Sequence, residues 1–340
     1  MVLKMPKICF GTSTTFPVLF DNGFKTNVKE LMKFLLRKLK KYKEVRGRTA
    51  TYGATKALIP LVRVAPKYGI TAFDTSRAYG GSERRLSIAV KKHKREDIFI
   101  ITKIDNDSQF LGKVKECFET SLKELRMDYV DLLLLHWPVD YPPFPNGSLA
   151  EFGSSGIECI LPVFVRSYKV LEEIHKSGKA KAIGVSNFNI KHLELLKKYT
   201  EILPMANEFE CHPLAARPLL NEYCRQNGIQ VLAYASLCAM DKRLQKGKLA
   251  DIANKHKKSI AQVILKWHIQ SGRVPIFRTT KIERLVEYGN LDFELSEHEL
   301  STIDGYNINY RAFPASEKCD FTKNIWLNHE EYKENCPDEN

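Results

Sequence analysis

IFIITK at residues 98–103 and VDLLLLH at residues 130–136 are two short runs of apolar and β-branched side chains. Runs of this length and composition are typical of buried β-strands. Between them, residues 111–125 carry apolar side chains at helical spacing. A strand, a helix and a second strand in this order predict two parallel strands joined by a crossover helix.

The same alternation extends over almost the whole chain. Strands are predicted at residues 8–12, 71–74, 98–103, 130–136, 182–186, 205–210, 231–234 and 274–278. Helices are predicted at residues 81–92, 111–125, 162–177, 190–199, 217–227, 259–271 and 283–290. Eight strands that alternate with helices predict an α/β protein built as a (β/α)8 TIM barrel.

No linker or compositional break divides the sequence, so residues 1–340 are expected to form a single domain. Two segments depart from the strand–helix pattern. Residues 25–48 form a basic insertion with helical spacing. Residues 307–340 form a C-terminal tail rich in Asn, Pro and charge. This tail is expected either to lie over the barrel as an extended loop or to be partly disordered.

The composition excludes several classes of protein. A hydrophobic content of 44% excludes a disordered chain, and no apolar run approaches the roughly 18 residues of a membrane span. No secretory signal is recognised at the N-terminus, and the 8 cysteines form no C-x-x-C pair, so we expect reduced thiols and a cytoplasmic location. The chain contains no G-x-G sequence, so a nucleotide cofactor is not expected on a Rossmann domain.

The basic charge of the chain is concentrated near its start. The formal net charge is +13, and residues 1–50 contain 12 Lys and Arg against 3 Asp and Glu. The segment 25–48 is interpreted as an amphipathic helix with a solvated basic face; a docking patch for RNA, an anionic lipid or an acidic partner is the alternative. Because the excess is local, neither a nucleic-acid nor a membrane partner is expected.

Four polar residues stand at or just after the ends of consecutive predicted strands. Asp74 ends the second strand, Tyr79 follows five residues later, and Lys103 and His136 end the third and fourth strands. Each residue alone has an ordinary structural explanation, such as a helix cap or a hydrogen-bonded rim residue. Since catalytic groups of TIM barrels lie at the carboxyl ends of the strands, four such residues at neighbouring ends indicate an active site.

These residues belong to motifs that resemble those of a known family. The motifs are FDTSRAYG (73–80), ITK (101–103), LHWP (135–138), IGVSNFN (183–189), NEFECHP (207–213) and AYASL (233–237). From about residue 7 to about residue 312 the chain resembles the aldo-keto reductase family. The resemblance implies a carbonyl reductase that binds NADPH or NADP+ across the mouth of the barrel. We expect a monomer that acts on a small-molecule carbonyl substrate and requires no metal.

In this resemblance Asp74, Tyr79, Lys103 and His136 match the catalytic tetrad of the family. A hydride that reaches a carbonyl carbon leaves an alkoxide, which needs a proton. Tyr79 is the expected general acid, and since the pKa of tyrosine is about 10, a nearby ammonium from Lys103 is expected to lower it. Asp74 would keep Lys103 charged and oriented, and His136 would orient the carbonyl oxygen.

The resemblance also implies residues that bind the cofactor. Ser186 and Asn187 match the side chains that hold the nicotinamide carboxamide, and Tyr234 matches the aromatic ring on which the nicotinamide stacks. Arg278, Thr279 and Arg284 match the site of the adenosine 2′-phosphate. The remaining positions implied to contact the cofactor are Gly11, Thr12, Glu208, Ala235, Ser236, Leu237, Glu287 and Tyr288.

Some of these positions depart from the family pattern. Glu208 stands where the family usually has Gln, and an ionised carboxylate there would favour the cationic, oxidised nicotinamide. Arg278 replaces the usual Lys, and Tyr288 replaces an Asn near the adenine. Cys238 occupies a position where Gly is common, and residues 237–249 are shorter than the loop that clasps the cofactor in the family.

The expected substrate pocket is polar. Ser13, Asp105, His136 and Trp137 are its candidate residues, and Ser13 and Asp105 stand where relatives that favour bulky apolar aldehydes carry Trp. This composition favours small polar carbonyls such as short aldoses; the alternative is that Asp105 simply pairs with Arg77. For the whole protein, the alternative function is a regulatory or sensor subunit that binds the cofactor with little turnover.

Overall fold

A computed structural model describes residues 3–13, 52–138 and 161–312 of the chain, with side chains of the first helix described from residue 58. The predicted basic helix at 25–48 and the tail from residue 313 onward lie outside the described residues.

Eight parallel strands form a closed barrel in which each strand pairs with the next and the eighth pairs with the first. The strands are β1 Cys9–Gly11, β2 Ala72–Asp74, β3 Phe99–Ile104, β4 Val130–Leu135, β5 Ala180–Ser186, β6 Ala206–Glu210, β7 Gln230–Tyr234 and β8 Val274–Phe277. The predicted (β/α)8 TIM barrel is confirmed. The fifth strand begins two residues before its predicted start because Ala180 pairs with Val130.

Helices lie between the strands and after the last one. They are α1 Tyr52–Val64, α2 Ser82–Val90, α3 Asn106–Phe110, α4 Val114–Leu125, α5 Val163–Lys176, α6 Ile190–Tyr199, α7 Pro218–Gln226, α8 Lys248–Lys255, α9 Ile260–Gln270, α10 Glu283–Gly289 and α11 Glu297–Asp304. Four of these, α1, α3, α8 and α11, were not predicted. The α3 and α8 helices are too short to show a clear apolar period. The α11 helix did carry a readable signal, the capping box of Ser296 and Glu299.

The apolar side chains form two layers because successive residues of a strand point to opposite faces. Ile101 and Leu134 belong to the layer inside the barrel, whereas Ile100 and Leu133 belong to the layer between the barrel and the helices. This period of two carries on to the strand ends. Polar residues follow inward apolar residues by two positions at several strand ends, among them Asp74 after Ala72, Lys103 after Ile101, His136 after Leu134 and Glu208 after Ala206.

Gly184 is required where β5 and β6 approach each other. A Cβ atom at Gly184 would lie 2.4 Å from the carbonyl oxygen of Ala206 and 2.9 Å from Cδ2 of Leu134. The backbone of Ala206 cannot move away without disturbing the pairing of the barrel strands. A side chain of any size at this position is therefore incompatible with the observed strand spacing.

Gly184→Ala is expected to lower the free energy of unfolding by about 1–3 kcal/mol, because the methyl group overpacks the sheet. Urea unfolding followed by circular dichroism measures this change. Gly305→Ala is the matched control, since Gly305 has helical backbone angles and a Cβ there would lie 3.3 Å from its nearest neighbour. A Gly184→Ala midpoint equal to that of the wild type would contradict the prediction.

No helix within the described residues is long and apolar enough to cross a membrane. The described cysteines are free thiols and buried: Cys9, Cys117, Cys211, Cys224 and Cys238.

The first residues of the C-terminal tail return to the mouth of the barrel. The backbone N–H groups of Ile308 and Tyr310 donate to the carbonyl oxygen of Leu214, at 3.2 and 2.9 Å. The N–H of Ala312 donates to Oε1 of Glu210, the last residue of β6, at 2.5 Å. Residues 308–312 therefore lie against the carboxyl end of the barrel, and the two alternatives for the tail stay open.

Candidate active site

Lys103 lies at the centre of the candidate site, fully buried inside the mouth of the barrel. Its ammonium forms an ion pair with Oδ1 of Asp74 and donates to the carbonyl oxygen of Thr75 at 3.2 Å. Oε1 of Glu208 lies 3.2 Å from the same ammonium. One cation therefore contacts two buried carboxyl groups, Asp74 and Glu208.

Tyr79 lies above Lys103 because a compact turn follows β2. The Tyr79 N–H donates to the carbonyl oxygen of Ser76 at 3.0 Å, and Thr75 and Ser82 share a hydroxyl–hydroxyl bond of 2.6 Å across the turn. The Lys103 ammonium is 5.3 Å from the centroid of the Tyr79 ring. The partly exposed Tyr79 ring is thus placed between the buried cation and the mouth.

His136 follows β4 and packs edge-to-face against Tyr79, with ring centroids 5.6 Å apart. The four predicted tetrad residues, Asp74, Tyr79, Lys103 and His136, are therefore brought together by the strand ends. The Oγ of Ser76 lies 3.4 Å from Nδ1 of His136. This contact engages Nδ1, one of the two ring nitrogens of His136.

The ionisation of Tyr79 differs from the sequence prediction. Burial raises the pKa of Tyr79 above its usual value, and the Lys103 ammonium lowers it by less. Asp74 and Glu208 add to the increase because a phenolate near two carboxylates is disfavoured. The prediction of a lowered pKa for Tyr79 is wrong for this structure, although Lys103 acts in the predicted direction.

Lys103 is charged at neutral pH, whereas His136 is uncharged. Burial disfavours the Lys103 ammonium, but Asp74, Glu208 and Tyr79 together raise the pKa of Lys103 well above its usual value. Burial and then the Lys103 charge lower the pKa of His136 to about 3. At neutral pH the site therefore contains a lysine cation and an uncharged imidazole, which can donate one N–H.

Asn187 connects the ends of three strands. Its Nδ2 donates to the carbonyl oxygen of His136 and to Oγ of Ser186, both at 3.0 Å, and its Oδ1 accepts from the Tyr234 hydroxyl at 2.8 Å. Asn187 has a φ of 65°, a left-handed conformation that asparagine tolerates better than most residues. The structure thus brings together three of the predicted cofactor residues, at β5 and β7.

The loops after β1 and β7 complete the rim. The N–H and the hydroxyl of Thr12, which follows Gly11, both donate to the carbonyl oxygen of Asp74 at 2.8 Å. Ser236 donates to the carbonyl oxygen of Ile276 at 3.0 Å. Ala235 has a φ of 53° and is partly exposed, whereas Leu237 is buried. Hydrogen bonds between neighbouring strand ends therefore hold this rim.

The predicted phosphate-binding residues follow β8. Arg278 is partly buried and Arg284 is exposed. The Thr279 hydroxyl accepts from the Lys281 N–H at 3.0 Å, which fixes the turn between them. Burial lowers the pKa of Arg278, but a guanidinium stays charged at any physiological pH. The two arginines therefore present positive charge beside one end of the barrel.

Two of the predicted cofactor residues have other contacts. Glu287 accepts a hydrogen bond from Ser259, the N-cap residue of α9. Tyr288 is 2% exposed, and its ring packs edge-to-face on Phe277 with centroids 5.0 Å apart. Burial raises the pKa of Tyr288 to about 12. Both residues support the packing of α10 against its neighbours.

The family model described as the aldo/keto reductase family matches residues 47–308, most of this chain. This chain belongs to the aldo-keto reductase family. The match includes the strands that carry Asp74, Lys103, His136 and Glu208. As a member of this family, the chain is an NADP-dependent oxidoreductase that acts on carbonyl compounds.

Relatives of known sequence and structure agree with this assignment. A glyoxal reductase of Bacillus subtilis (strain 168) is 36% identical over 260 residues, which cover 76% of this chain and 86% of the relative. An aldo-keto reductase from a Medee basin deep-sea metagenome library is 34% identical, with a TM-score of 0.65 over 75% of this chain and 88% of that one. The Bombyx mori aldo-keto reductase in complex with NADP is 24% identical and has a TM-score of 0.71 over 93% and 94% of the two chains, which shows a shared fold.

Two of the predicted substrate residues of this aldo-keto reductase, Asp105 and Trp137, make contacts with other parts of the protein. Asp105 accepts from the Ser108 N–H at 2.7 Å as the N-cap of α3, and its Oδ2 lies 3.5 Å from Nε of Arg77. The alternative of an Arg77–Asp105 pair is therefore observed. Ser13 and Trp137 are partly exposed at the rim. The carbonyl oxygen of Trp137 accepts from Gln109 at 3.2 Å.

Sequence reasoning missed two residues of the site. Ser76 contacts the His136 ring, and the carbonyl oxygen of Thr75 is one of the acceptors of the Lys103 ammonium. Both residues are fully buried although they are polar. The signal was present in the FDTSRAYG motif, since two short hydroxyl residues directly after a strand end are typical of a turn that positions its neighbours.

Proposed function

We propose that this aldo-keto reductase reduces aldehydes and ketones to alcohols, with Tyr79 as the general acid. The observation that carries the proposal is the contact chain in which the Asp74 carboxylate pairs with the Lys103 ammonium beneath the Tyr79 ring. His136 lies on the other side of the same ring. A regulatory subunit with little turnover would not require this arrangement, so the assembled tetrad favours the enzyme.

Each of the four residues has a distinct task in the proposed reaction. The Tyr79 hydroxyl donates its proton to the oxygen of the reduced carbonyl, and the phenolate that remains is stabilised by the Lys103 ammonium. Asp74 keeps Lys103 charged and fixes its position. The uncharged His136 donates an N–H to the carbonyl oxygen, which both orients the substrate and stabilises the charge that develops on it.

The residues around this site fit a nicotinamide cofactor, which when bound supplies a hydride to the carbonyl carbon. Ser186 and Asn187 end β5 with a hydroxyl and an amide, and the adjacent Glu208 has a buried carboxyl oxygen, Oε2, without a hydrogen-bond partner among the described residues. Hydroxyl, amide and carboxyl groups match the donor and acceptor of a carboxamide. Gly11 lets β1 pack closely on β8, because a Cβ there would lie 3.1 Å from Cγ2 of Ile276.

We further propose that NADPH is preferred over NADH because Arg278 and Arg284 bind the 2′-phosphate. Charge-assisted hydrogen bonds between arginine and phosphate are strong and frequently bidentate. The free and buried cysteines of the described residues agree with a reducing compartment, so the proposed location is the cytoplasm.

Arg284→Ala is expected to weaken NADPH binding by about tenfold and to leave NADH binding nearly unchanged. A charge-assisted contact contributes about 1.5–3 kcal/mol, and the exposure of Arg284 reduces this through solvent screening. Fluorescence titration with the two nucleotides measures both affinities. Lys281→Ala is the matched control, since it removes the same charge from an exposed position in the same loop. Equal weakening of NADPH and NADH would show that Arg284 has a structural role instead.

We propose small polar carbonyls, such as short aldoses and hydroxylated or dicarbonyl aldehydes, as the substrate class. The rim carries Ser13 and the Arg77–Asp105 pair, which offer hydrogen bonds and little aromatic surface. The glyoxal reductase relative is named for a substrate of this kind. Because Asp105 also caps α3, Asp105→Trp would alter the fold of the rim and its polarity together.

The test is NADPH oxidation measured across a panel of glyoxal, methylglyoxal, short aldoses, aromatic aldehydes and steroid ketones. The expected result is the highest kcat/KM on the short polar carbonyls. Steroid reduction that exceeds every polar substrate would contradict the substrate class and leave the tetrad assignment intact. An absence of NADPH oxidation with any carbonyl would overturn the proposed function itself.

A further inference from the structure

Glu208 is a buried carboxyl group that contacts the Lys103 ammonium at the mouth of the barrel. It lies on β6 and points into the barrel mouth two positions after Ala206, and it is 2% exposed. Oε1 contacts the Lys103 ammonium at 3.2 Å. Oε2 is buried, and no described residue donates a hydrogen bond to it. A fully ionised carboxylate would be left with this second oxygen unsatisfied.

The balance of charges also favours a protonated Glu208. Asp74 and Glu208 share one cation, Lys103, so the ammonium can balance one of the two negative charges. A proton on Glu208 removes the excess charge and allows a hydrogen bond from Glu208 to the Asp74 carboxylate. The groups that face Glu208 from the neighbouring strands and turns are Cys9, Asp74, Tyr79, Lys103 and Tyr234.

We propose that Glu208 is a specificity-determining residue whose proton decides which oxidation state of the nicotinamide cofactor the site prefers. This inference rests on the proposed function, because it concerns the cofactor of that same site. With its proton, Glu208 is uncharged and can donate an O–H to an amide oxygen, as glutamine would through its NH2 group. Without its proton, Glu208 places a negative charge in a buried site, where it attracts the positive ring of NADP+ and not the neutral ring of NADPH.

The pH range of the effect follows from the surroundings of Glu208. Burial, and then the Asp74 charge, raise the pKa of Glu208 to about 8, although Lys103 opposes the increase. The pKa of Lys103 lies far above this range, whereas that of His136 is about 3, so neither changes charge near pH 8. Affinity for NADP+ relative to NADPH is therefore expected to rise as the pH increases through about 8.

Linkage requires the reverse effect as well. If ionised Glu208 favours NADP+, then binding of NADP+ lowers the pKa of Glu208 and releases its proton to the solvent. Binding of NADPH is expected to release fewer protons. The number of protons released on binding is thus a readout that involves no turnover.

The experiment measures the Kd of NADP+ and of NADPH by quenching of tryptophan fluorescence between about pH 6.5 and about pH 9.5. Both nucleotides carry the same 2′-phosphate, so its titration cancels in the ratio of the two Kd values. In the wild type the ratio of NADP+ Kd to NADPH Kd is expected to fall by about tenfold or more as the pH rises. In Glu208→Gln the ratio is expected to be constant and close to the low-pH value of the wild type.

Glu83→Gln is the matched control. Glu83 is also a buried carboxyl with a raised pKa, but it bonds to the hydroxyl of Thr102, on the outer face of β3. Glutamine can still accept that hydrogen bond, and this variant should keep the pH dependence of the wild type. Calorimetry of the wild type at about pH 7 in two buffers of different ionisation enthalpy supplies a second measurement, in which NADP+ should release more protons than NADPH.

The outcomes separate this inference from the function it rests on. A wild-type ratio that does not change with pH, or equal proton release by the two nucleotides, would overturn the role of Glu208 while cofactor binding itself stands. If the ratio of the two Kd values still depends on pH in Glu208→Gln, another titratable group causes that dependence. Failure of both nucleotides to bind to the wild type would instead contradict the proposed function.

Discussion

Replacing Tyr79 with phenylalanine is expected to lower kcat by about 10²–10⁴-fold and to leave the Kd of NADPH nearly unchanged. General acid catalysis contributes an effect of this size, and phenylalanine keeps the ring that packs against His136 while it removes the proton donor. Because burial raises the pKa of Tyr79, the hydroxyl holds its proton throughout the neutral range. The measurement is steady-state kinetics together with fluorescence titration of the variant with NADPH.

Tyr223→Phe is the control for the loss of a tyrosine hydroxyl. Tyr223 lies on α7 and bonds to Glu194 on the outer surface of the barrel, away from the tetrad. Its kcat should equal that of the wild type. A wild-type kcat in Tyr79→Phe would end the assignment of Tyr79 as the acid, and a loss of NADPH affinity would show that the substitution acts through binding.

Lys103→Met is expected to reduce kcat by at least about 10²-fold and also to destabilise the fold. The Tyr79 phenolate loses its stabilising charge, and two buried carboxyls, Asp74 and Glu208, lose their cation. Removal of one partner from a buried ion pair costs up to about 3–5 kcal/mol, because the remaining charge is left uncompensated. Kinetics and urea unfolding measure the two effects.

The destabilisation of Lys103→Met has an expected pH dependence. Burial already raises the pKa of Asp74 and of Glu208 in the folded protein, whereas Lys103 lowers both pKa values. Loss of the Lys103 cation therefore raises the two pKa values further. The folded variant then binds more protons than the unfolded chain, so its stability falls as the pH rises. The deficit relative to the wild type should be larger at about pH 8.5 than at about pH 5.5.

Lys176→Met is the control for the removal of a lysine from an ion pair. Lys176 pairs with Glu201 on the surface, and both side chains are exposed. Solvent screens such a pair, so no measurable change in stability or kcat is expected. A Lys103→Met variant as stable as the wild type at every pH would contradict the buried ion-pair cluster described above.

The sequence by itself determined the barrel and the positions of its catalytic side chains. Alternation of side-chain direction is a property of any extended strand, so Lys103 and His136 had to point inward once Ile101 and Leu134 did. Short buried strands separated by helical periods left a parallel barrel as the architecture. The unpredicted helix α11 had a local signal as well, the capping box at Ser296, which shows that this part of the fold was also encoded locally.

Some contacts could not be predicted from spacing alone. Asp105, which was expected at the substrate pocket, also caps its own helix and pairs with Arg77. Tyr288, which was expected near the adenine, packs on Phe277, and its contact with the cofactor stays a prediction. The position of a residue in the sequence pattern predicts the strand end or helix on which its side chain lies. The neighbour that the side chain meets depends on how helices dock on the barrel.

The tertiary structure alone decided the electrostatics of the site. Glu208 lies 105 positions after Lys103 in the chain, yet closure of the barrel brings its carboxyl within 3.2 Å of the ammonium, beside Asp74. The pKa of Tyr79 was expected to fall because of Lys103, and it rises because burial has the larger effect. Sequence motifs specify which charges enter the mouth. Their protonation depends on the distances between them and on the solvent they lose, and those quantities exist only once the eight strands have closed.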